Sequence, residues 1–185
     1  MATKIFENRM RWSEDMNRSP YLRGGVSFLL FDEGPDGPDG APANVFLMRR
    51  GYIFQDSSVP GVPGSTVSNR VWLKANVPAR VGLRRPAFRF TNVDVDVTTE
   101  WQQFTVSGTG THSGRFLIDT RATYTQEFVL SIAKFQQWEG DDEEEYIKTE
   151  GSPIIDLAVS TGISNPLRSA AHEAPRAFRP RTLGA

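Results

Sequence analysis

The chain has 185 residues, with 21 Lys and Arg against 22 Asp and Glu, and no cysteine. That length suits one domain, or one domain with an arm, and the missing cysteines exclude a disulfide framework, Cys-held zinc, iron–sulfur clusters and thiol catalysis. A formal net charge of −1 gives the whole chain no nucleic-acid footprint, the longest apolar run, Phe28–Phe31, is far short of the roughly 20 residues that span a bilayer, and the first residues lack the charged-then-apolar layout of a signal peptide.

Residues 1–24 read as a lead-in segment, with Trp12 and Tyr21 as anchors. Helical periodicity is hard to find after it. Short β-rich runs recur instead, separated by turn residues, the pattern of a sandwich or barrel. In chain order the predicted strands are Gly25–Phe31, Asn44–Arg49, Val67–Ala75, Arg80–Leu83, Ala87–Val97, Trp101–Ser107, Gly114–Asp119 and Tyr124–Phe135. Val93-Asp94-Val95-Asp96-Val97 alternates strictly, so one face is valine and the other aspartate. Val71, Leu73 and Ala75 share one face of their strand, and Arg70, Trp72 and Lys74 the other. Phe104 and Val106 likewise oppose Trp101, Gln103 and Thr105. The doubled Gly-Pro-Asp of Gly34–Gly40 reads as a loop, as does Pro60–Gly64, and Ser107–Gly114 as a hairpin loop. Pro86 points to an edge or a bulge.

Charge is uneven. Arg70, Lys74, Arg80, Arg84, Arg85 and Arg89 form a basic stretch with no acid between its ends, while Glu139–Glu150 is strongly acidic. The predicted sandwich domain runs from 25 to 150. Residues 151–185 dissolve into Pro, Ser, Ala and Arg and read as an extended arm.

Several motifs stand in a telling order: Asn8-Arg9-Met10-Arg11-Trp12-Ser13-Glu14-Asp15-Met16, Gly37-Pro38-Asp39-Gly40, Val71-Trp72-Leu73-Lys74-Ala75, Val97-Thr98-Thr99-Glu100-Trp101-Gln102-Gln103-Phe104, Gln136-Gln137-Trp138-Glu139-Gly140 and Tyr146-Ile147-Lys148-Thr149. Over roughly residues 8–150 this order resembles a carbohydrate-binding-module-like jelly roll common in tailed-phage virion proteins. Two departures are Phe135-Gln136-Gln137-Trp138, where the family has Ala-Gln-Leu-Glu, and Lys148, where it has proline. The resemblance implies an all-β jelly-roll β-sandwich and a place in a virion among other virion proteins. It names no glycan, because such modules often serve as architecture.

The leading expectation is therefore a non-enzymatic structural component of a phage particle, a homo-oligomer held by subunit contacts. The alternative is a module that attaches the particle to a glycan of the host envelope. Sugars stack on flat aromatic rings and bond to charged or amide groups, so Trp72, Arg70 and Lys74 are candidate glycan contacts; packing under a loop or at a subunit contact would explain the same residues. Trp138, beside the acidic run, is the other candidate exposed aromatic. Trp101 reads as an anchor at the start of its strand.

Arg176, Phe178, Arg179 and Arg181 are candidate interface residues, since arginines of an arm suit bidentate contacts with carboxylates such as Asp141–Glu145 of another subunit. The basic stretch suits the same kind of inter-subunit contact better than nucleic acid. No cofactor is expected. The resemblance allows a structural calcium at Asp141–Glu145 or in the Asp32–Asp39 loop, although neither is an Asp-x-Asp-x-Asp-Gly loop. His112 and His172 offer no metal triad and no Ser-His-Asp set.

Overall fold

The computed structural model describes residues 4–8, 14–16, 21–31, 37–56, 63–86, 91–110, 115–141, 146, 148–149 and 154–158. Ten strands make up most of them: β1 (Lys4–Asn8), β2 (Leu22–Phe31), β3 (Asn44–Asp56), β4 (Thr66–Ala75), β5 (Ala79–Arg84), β6 (Asn92–Val97), β7 (Gln102–Thr109), β8 (Arg115–Asp119), β9 (Phe128–Glu139) and β10 (Ile154–Ala158). All pairing is antiparallel. The fold is an all-β sandwich of jelly-roll type, and each of the eight expected strands is present. Among the described residues no helix is long and apolar enough to cross a membrane.

The long strand β3 organises the rest. The strand order is β6-β5-β8-β3-β9-β4-β7, with β2 along the other edge of β3. Asn44–Met48 pairs with β9, whereas Tyr52–Asp56 pairs with β8. One strand thus serves two layers, β3-β9-β4-β7 and β3-β8-β5-β6. The layers change over at Arg49-Arg50-Gly51. Before it Phe46 and Met48 point into the core; after it Ile53 does, so the inward side switches from even to odd numbers. β2 takes a register shift between Gly24 and Val26 opposite this bend.

Glycine is required here. A Cβ on Gly51 would run into the backbone of Gly24 and Gly25, and Gly25 itself sits at φ +67°. The bend frees backbone groups from the ladder, and Thr120 satisfies them. Its hydroxyl accepts from Gly51 N at 3.0 Å and donates to the Arg49 carbonyl, and its own N–H donates to Gly51 O at 2.9 Å.

A second bulge re-aims β9. Lys134 adopts φ +48°, a left-handed conformation costly for a side chain with a Cβ. The register with β4 shifts there, from Trp72↔Ala133 to Arg70↔Gln136. Leu130 and Ile132 point inward before it, and Phe135 after it. Phe116 and Phe135 meet in the interior with ring centroids 3.6 Å apart. The core also takes Val71, Leu73, Ala75, Val81, Leu83, Ile118 and Tyr21. Truncating one of its fully buried Leu or Ile side chains to Ala would cost about 2–5 kcal/mol.

The lead-in is stitched to this core. Asn44, fully buried, accepts from Met16 N at 2.7 Å and donates to Glu14 O at 2.6 Å, which holds Met16 in the core. The Glu14 carboxylate then takes Tyr146 Oη at 3.3 Å and Lys148 Nζ at 3.0 Å. Farther out, β1 pairs with β10 in register from Lys4↔Ala158 to Asn8↔Ile154 and lies against β9. The lead-in and the start of the arm are therefore joined to each other. Within the doubled Gly-Pro-Asp loop, Gly37–Gly40 closes a tight 3-10 turn with Asp39 and Gly40 both at positive φ. Its first half, Gly34–Asp36, lies outside the described residues, as do Trp12, Arg89, His112, Asp142–Glu145, His172 and the arm from residue 159, including Arg176, Phe178, Arg179 and Arg181.

Candidate functional site

Each layer turns one face to the core and one face outward. On the outward face of β3-β9-β4-β7 stand Arg70, Trp72 and Lys74, as their alternation with Val71, Leu73 and Ala75 requires. Trp72 and Lys74 are half-buried. Arg70 is not available in the same way: it is buried, its Nη2 donates to Gln136 Oε1 at 2.8 Å, and its guanidinium lies 5.4 Å from the Trp138 ring. Trp138 is only 1% exposed. The expectation of an exposed Trp138 is thus corrected. The bulge at Lys134 turns it to the outward face, but that face is closed around it, with Ser68 opposite and also buried. Ser68 in turn bonds Ser107 Oγ at 2.7 Å and Gly140 O at 2.6 Å. The Gly37–Ala41 turn covers the same face nearby, since a Cβ on Gly37 would touch Ala133. Trp101 is half-buried immediately before β7, and Tyr21 is a buried part of the core.

The basic stretch does not form one surface. Arg70 and Lys74 belong to one layer, Arg80 and Arg84 to the other. Arg80 is held by Asp96 through Nε at 2.7 Å and Nη2 at 2.9 Å. That fork is exposed and pulls the Asp96 carboxyl below its ordinary range.

The outward face of β3-β8-β5-β6 is built differently. Its transverse rows follow from register: Gly24, Tyr52, Asp119, Gly82 and Asp94 stand in one, Phe54 and Leu117 in the next, Asp56 and Arg115 in a third. Arg84 and Asn92 face each other two residues beyond Gly82 and Asp94. Tyr52 and Phe54 are half-buried, with ring centroids 5.7 Å apart and planes inclined by 40°. A guanidinium lies over each ring: Arg121 at 4.8 Å from Tyr52 and Arg115 at 4.4 Å from Phe54. A carboxylate grips each guanidinium in turn. Arg115 reaches Asp56 through Nε at 2.5 Å and Nη2 at 3.0 Å. Arg121 reaches Asp119 through Nε at 3.0 Å and Nη2 at 2.8 Å.

Electrostatics follow from burial. Burial alone would raise the Asp119 carboxyl, but the side-chain and backbone donors of Arg121, with Asn92, outweigh it and hold the carboxyl below its ordinary value. Arg84 is buried, and its guanidinium is pushed down by burial and then by the positive charge of Arg115 and Arg121, with Asp119 opposing. Among the described residues no group of three or more Asp, Glu or His side chains could hold a metal ion.

Sequence reasoning missed this second face. Tyr52 and Phe54 follow Arg49-Arg50-Gly51, where the predicted strand stopped. The continuous aromatic and β-branched run Tyr52-Ile53-Phe54 was the available signal of a longer strand.

No protein-family model matches the chain, and no curated protein does. Solved structures do align with it. TmCBM61, solved in complex with β-1,4-galactotriose, shares 14% identity over 72% of this chain and 99% of its own, at a TM-score of 0.49. The CBM22-1 xylan-binding domain of Paenibacillus barcinonensis Xyn10C shares 13% over 75% and 96%, also at 0.49. Tailspike protein 4 of bacteriophage CBA120 shares 12% over 71% of this chain and 21% of its own, at 0.44. The neighbours are mostly carbohydrate-binding modules, and the function of this chain must be argued from its own residues.

Proposed function

We propose that the chain is a non-catalytic glycan-binding module whose sugar platform is the outward face of β3-β8-β5-β6. The observation that carries this is the pair of adjacent rings, Tyr52 and Phe54, each topped by a guanidinium that a carboxylate holds in place. Rings supply flat area for sugar C–H groups. Arginine donates to hydroxyls and aspartate accepts from them, so each Arg–Asp fork matches a vicinal diol. A sugar stacks on these rings by taking the place of the guanidiniums, which swing aside while still bonded to their carboxylates and face its hydroxyls. Asp119 and Asp96 are held ionised, which suits binding and not the protonated general acid that glycoside hydrolysis needs. Trp72 and Lys74 remain candidates for a second contact on the opposite layer.

The test is a glycan array read with the wild type and a Tyr52→Ala/Phe54→Ala double variant. The expected result is saturable binding to at least one envelope or plant-type polysaccharide that falls at least about tenfold in the double variant while the sandwich still melts cooperatively. Undiminished binding by the folded double variant would remove the site from this face.

A second reading, a structural component of a tailed-phage virion assembled through subunit contacts, is supported by the motif resemblance at Val71–Ala75 and Val97–Phe104. It puts the protein in the particle, with Arg176, Phe178, Arg179 and Arg181 on the contacts. Mass spectrometry of purified particles tests it, with the chain expected at a fixed copy number relative to the major capsid protein.

A further inference from the structure

A cavity of about 450 Å³ opens where β5 begins and β6 ends, against the turn that leads from β8 to β9. That is a size within the range of small-molecule sites. Pro78 and Val97 supply apolar lining, and the polar lining is the Arg80–Asp96 fork with three threonines, Thr98, Thr123 and Thr125. No aromatic ring lines it. The walls are fixed from behind. The Thr98 carbonyl accepts from Ala75 N at 2.8 Å, its N–H donates to Gln102 Oε1 at 2.8 Å, and its Oγ1 accepts from Glu100 N at 3.3 Å. Asn76, two residues before Pro78, donates through its N–H to Val129 O at 3.0 Å and accepts from Val129 N through Oδ1 at 2.7 Å. Tyr124 N donates to the Thr120 carbonyl at 2.8 Å and closes the turn that carries Thr123. A site held in shape before its ligand arrives loses less on binding. One group in these walls is unmatched. The Thr123 hydroxyl is buried and has no hydrogen-bond partner among the described residues, which is unfavourable until something supplies one.

We infer that this cavity is a second sugar site, which holds a single neutral sugar residue by its hydroxyls. Arg80 and Asp96 cancel each other's charge, and Asp94 stands two residues from Asp96 on the same side of β6, so nothing here favours an anion. No group of acids that could hold a metal ion is present among the described residues. The fork sets a donor beside an acceptor. A vicinal diol answers both, one oxygen accepting from the guanidinium and the neighbouring hydroxyl donating to the carboxylate. Thr98 Oγ1 already accepts from Glu100 N, so its proton is left to donate. Thr123 gains its missing partner when a turn about χ1 exchanges its methyl and its hydroxyl. Pro78 and Val97 take the C–H groups of the ring. The site shares with the platform only the class of ligand. It uses neither Tyr52 nor Phe54 nor the guanidiniums that cover them, so either site can stand without the other.

The experiment titrates the full chain with the methyl glycosides of glucose, galactose, mannose and xylose and follows backbone amide shifts by NMR. Glycerol, which carries the diol without the ring, is the control. The expected result is that at least one glycoside gives saturable shifts at Arg80, Thr98, Thr123 and Thr125, with a roughly millimolar Kd and well below that of glycerol. Thr123→Val and Asp96→Asn should each weaken it about three- to tenfold, the loss of one hydrogen bond. Thr123→Val should melt at or above the wild-type temperature, because it removes a hydroxyl that the protein leaves unpartnered. The Asp96 side chain is 71% exposed, so Asp96→Asn stays informative even if Thr123→Val fails to fold. Tyr52→Ala/Phe54→Ala should leave these shifts in place. Shifts lost in that double variant and kept in the cavity variants would move the sugar to the platform, overturning the second site and leaving the glycan-binding reading standing. Glycerol binding as tightly as the glycosides overturns the second site too, because the ring then counts for nothing. No saturable shift at these amides up to about 100 mM of any glycoside overturns it whatever the platform binds.

Discussion

The two outward faces of this sandwich use the same parts to opposite ends. On β3-β9-β4-β7 a guanidinium, Arg70, lies against an indole, Trp138, and bonds a neutral amide, Gln136, all of it buried. On β3-β8-β5-β6 guanidiniums about half in water lie on Tyr52 and Phe54 and bond carboxylates, one exposed, Asp56, and one buried, Asp119. A cation over a ring is thus no mark of a binding site by itself. What separates the faces is the third partner and the cover. Where the face is closed, a buried amide takes part in holding the guanidinium. Where it is open, a carboxylate can hold the arginine, because water pays part of the cost of the guanidinium charge.

The largest expected effect comes from the closed face. Trp138→Ala should destabilise the sandwich by about 3–5 kcal/mol, the range for truncating a buried Trp, and leave glycan affinity of the folded fraction unchanged. Chemical denaturation measures the first and the array the second. A melting point close to wild type with lost binding would reverse the roles of the two faces.

How much of this contrast the sequence discloses depends on where β3 and β9 bend. Strict alternation makes Val93–Val97 and Val71–Ala75 legible, and the structure keeps both: the valines and Leu73 face inward, while Asp94, Asp96, Trp72 and Lys74 face outward. Alternation fails at Arg49-Arg50-Gly51 and at Lys134, where each strand changes phase. Beyond these bends lie Tyr52 and Phe54 in one case and Gln136 and Trp138 in the other. Gln136 and Gln137 look solvent-facing in a sequence and are fully buried in the fold. The Thr120 hydroxyl that satisfies the first bend is 69 residues from Gly51, so nothing local announces it. Pairing of β1 with β10 joins the lead-in to the start of the arm, and five-residue strands without a turn between them give no hairpin signal.

An intermediate effect is expected at Asp119, the deepest acid of the open face. Asp119→Asn should cost about 1–2 kcal/mol near neutral pH, the lower part of the range for hydrogen bonds to charged groups because Arg121 is half in solvent. The sign of its pH dependence is fixed. The native carboxyl titrates below its ordinary value of 3.8, so its stabilisation is complete above that value and is lost as pH falls through the native one. The wild type and the variant should therefore differ in denaturation midpoint at pH 7 and converge in acid. A gap that stays constant into acid would mean that Asp119 acts by shape and not by charge.

The smallest effect on stability is expected at the rim. Arg115 and Asp56 form a bidentate pair, but their side chains are 45% and 61% exposed. Exposed pairs contribute about 0–1 kcal/mol, because the charges are screened and two long side chains must be ordered to meet. Asp56→Asn should therefore leave the melting temperature nearly unchanged, in contrast to Trp138→Ala. Binding should respond more strongly. Removing this carboxylate takes one acceptor from the platform and loosens Arg115 over Phe54, so affinity for a glycan should fall about two- to threefold. Measuring both quantities on one protein sample separates the roles directly. A large drop in melting temperature would show that the open-face fork is as structural as the buried Arg70–Gln136 contact, and the distinction between the two faces would collapse. Unchanged affinity with unchanged stability would place Asp56 outside the ligand's reach and confine the platform to Tyr52, Arg121 and Asp119.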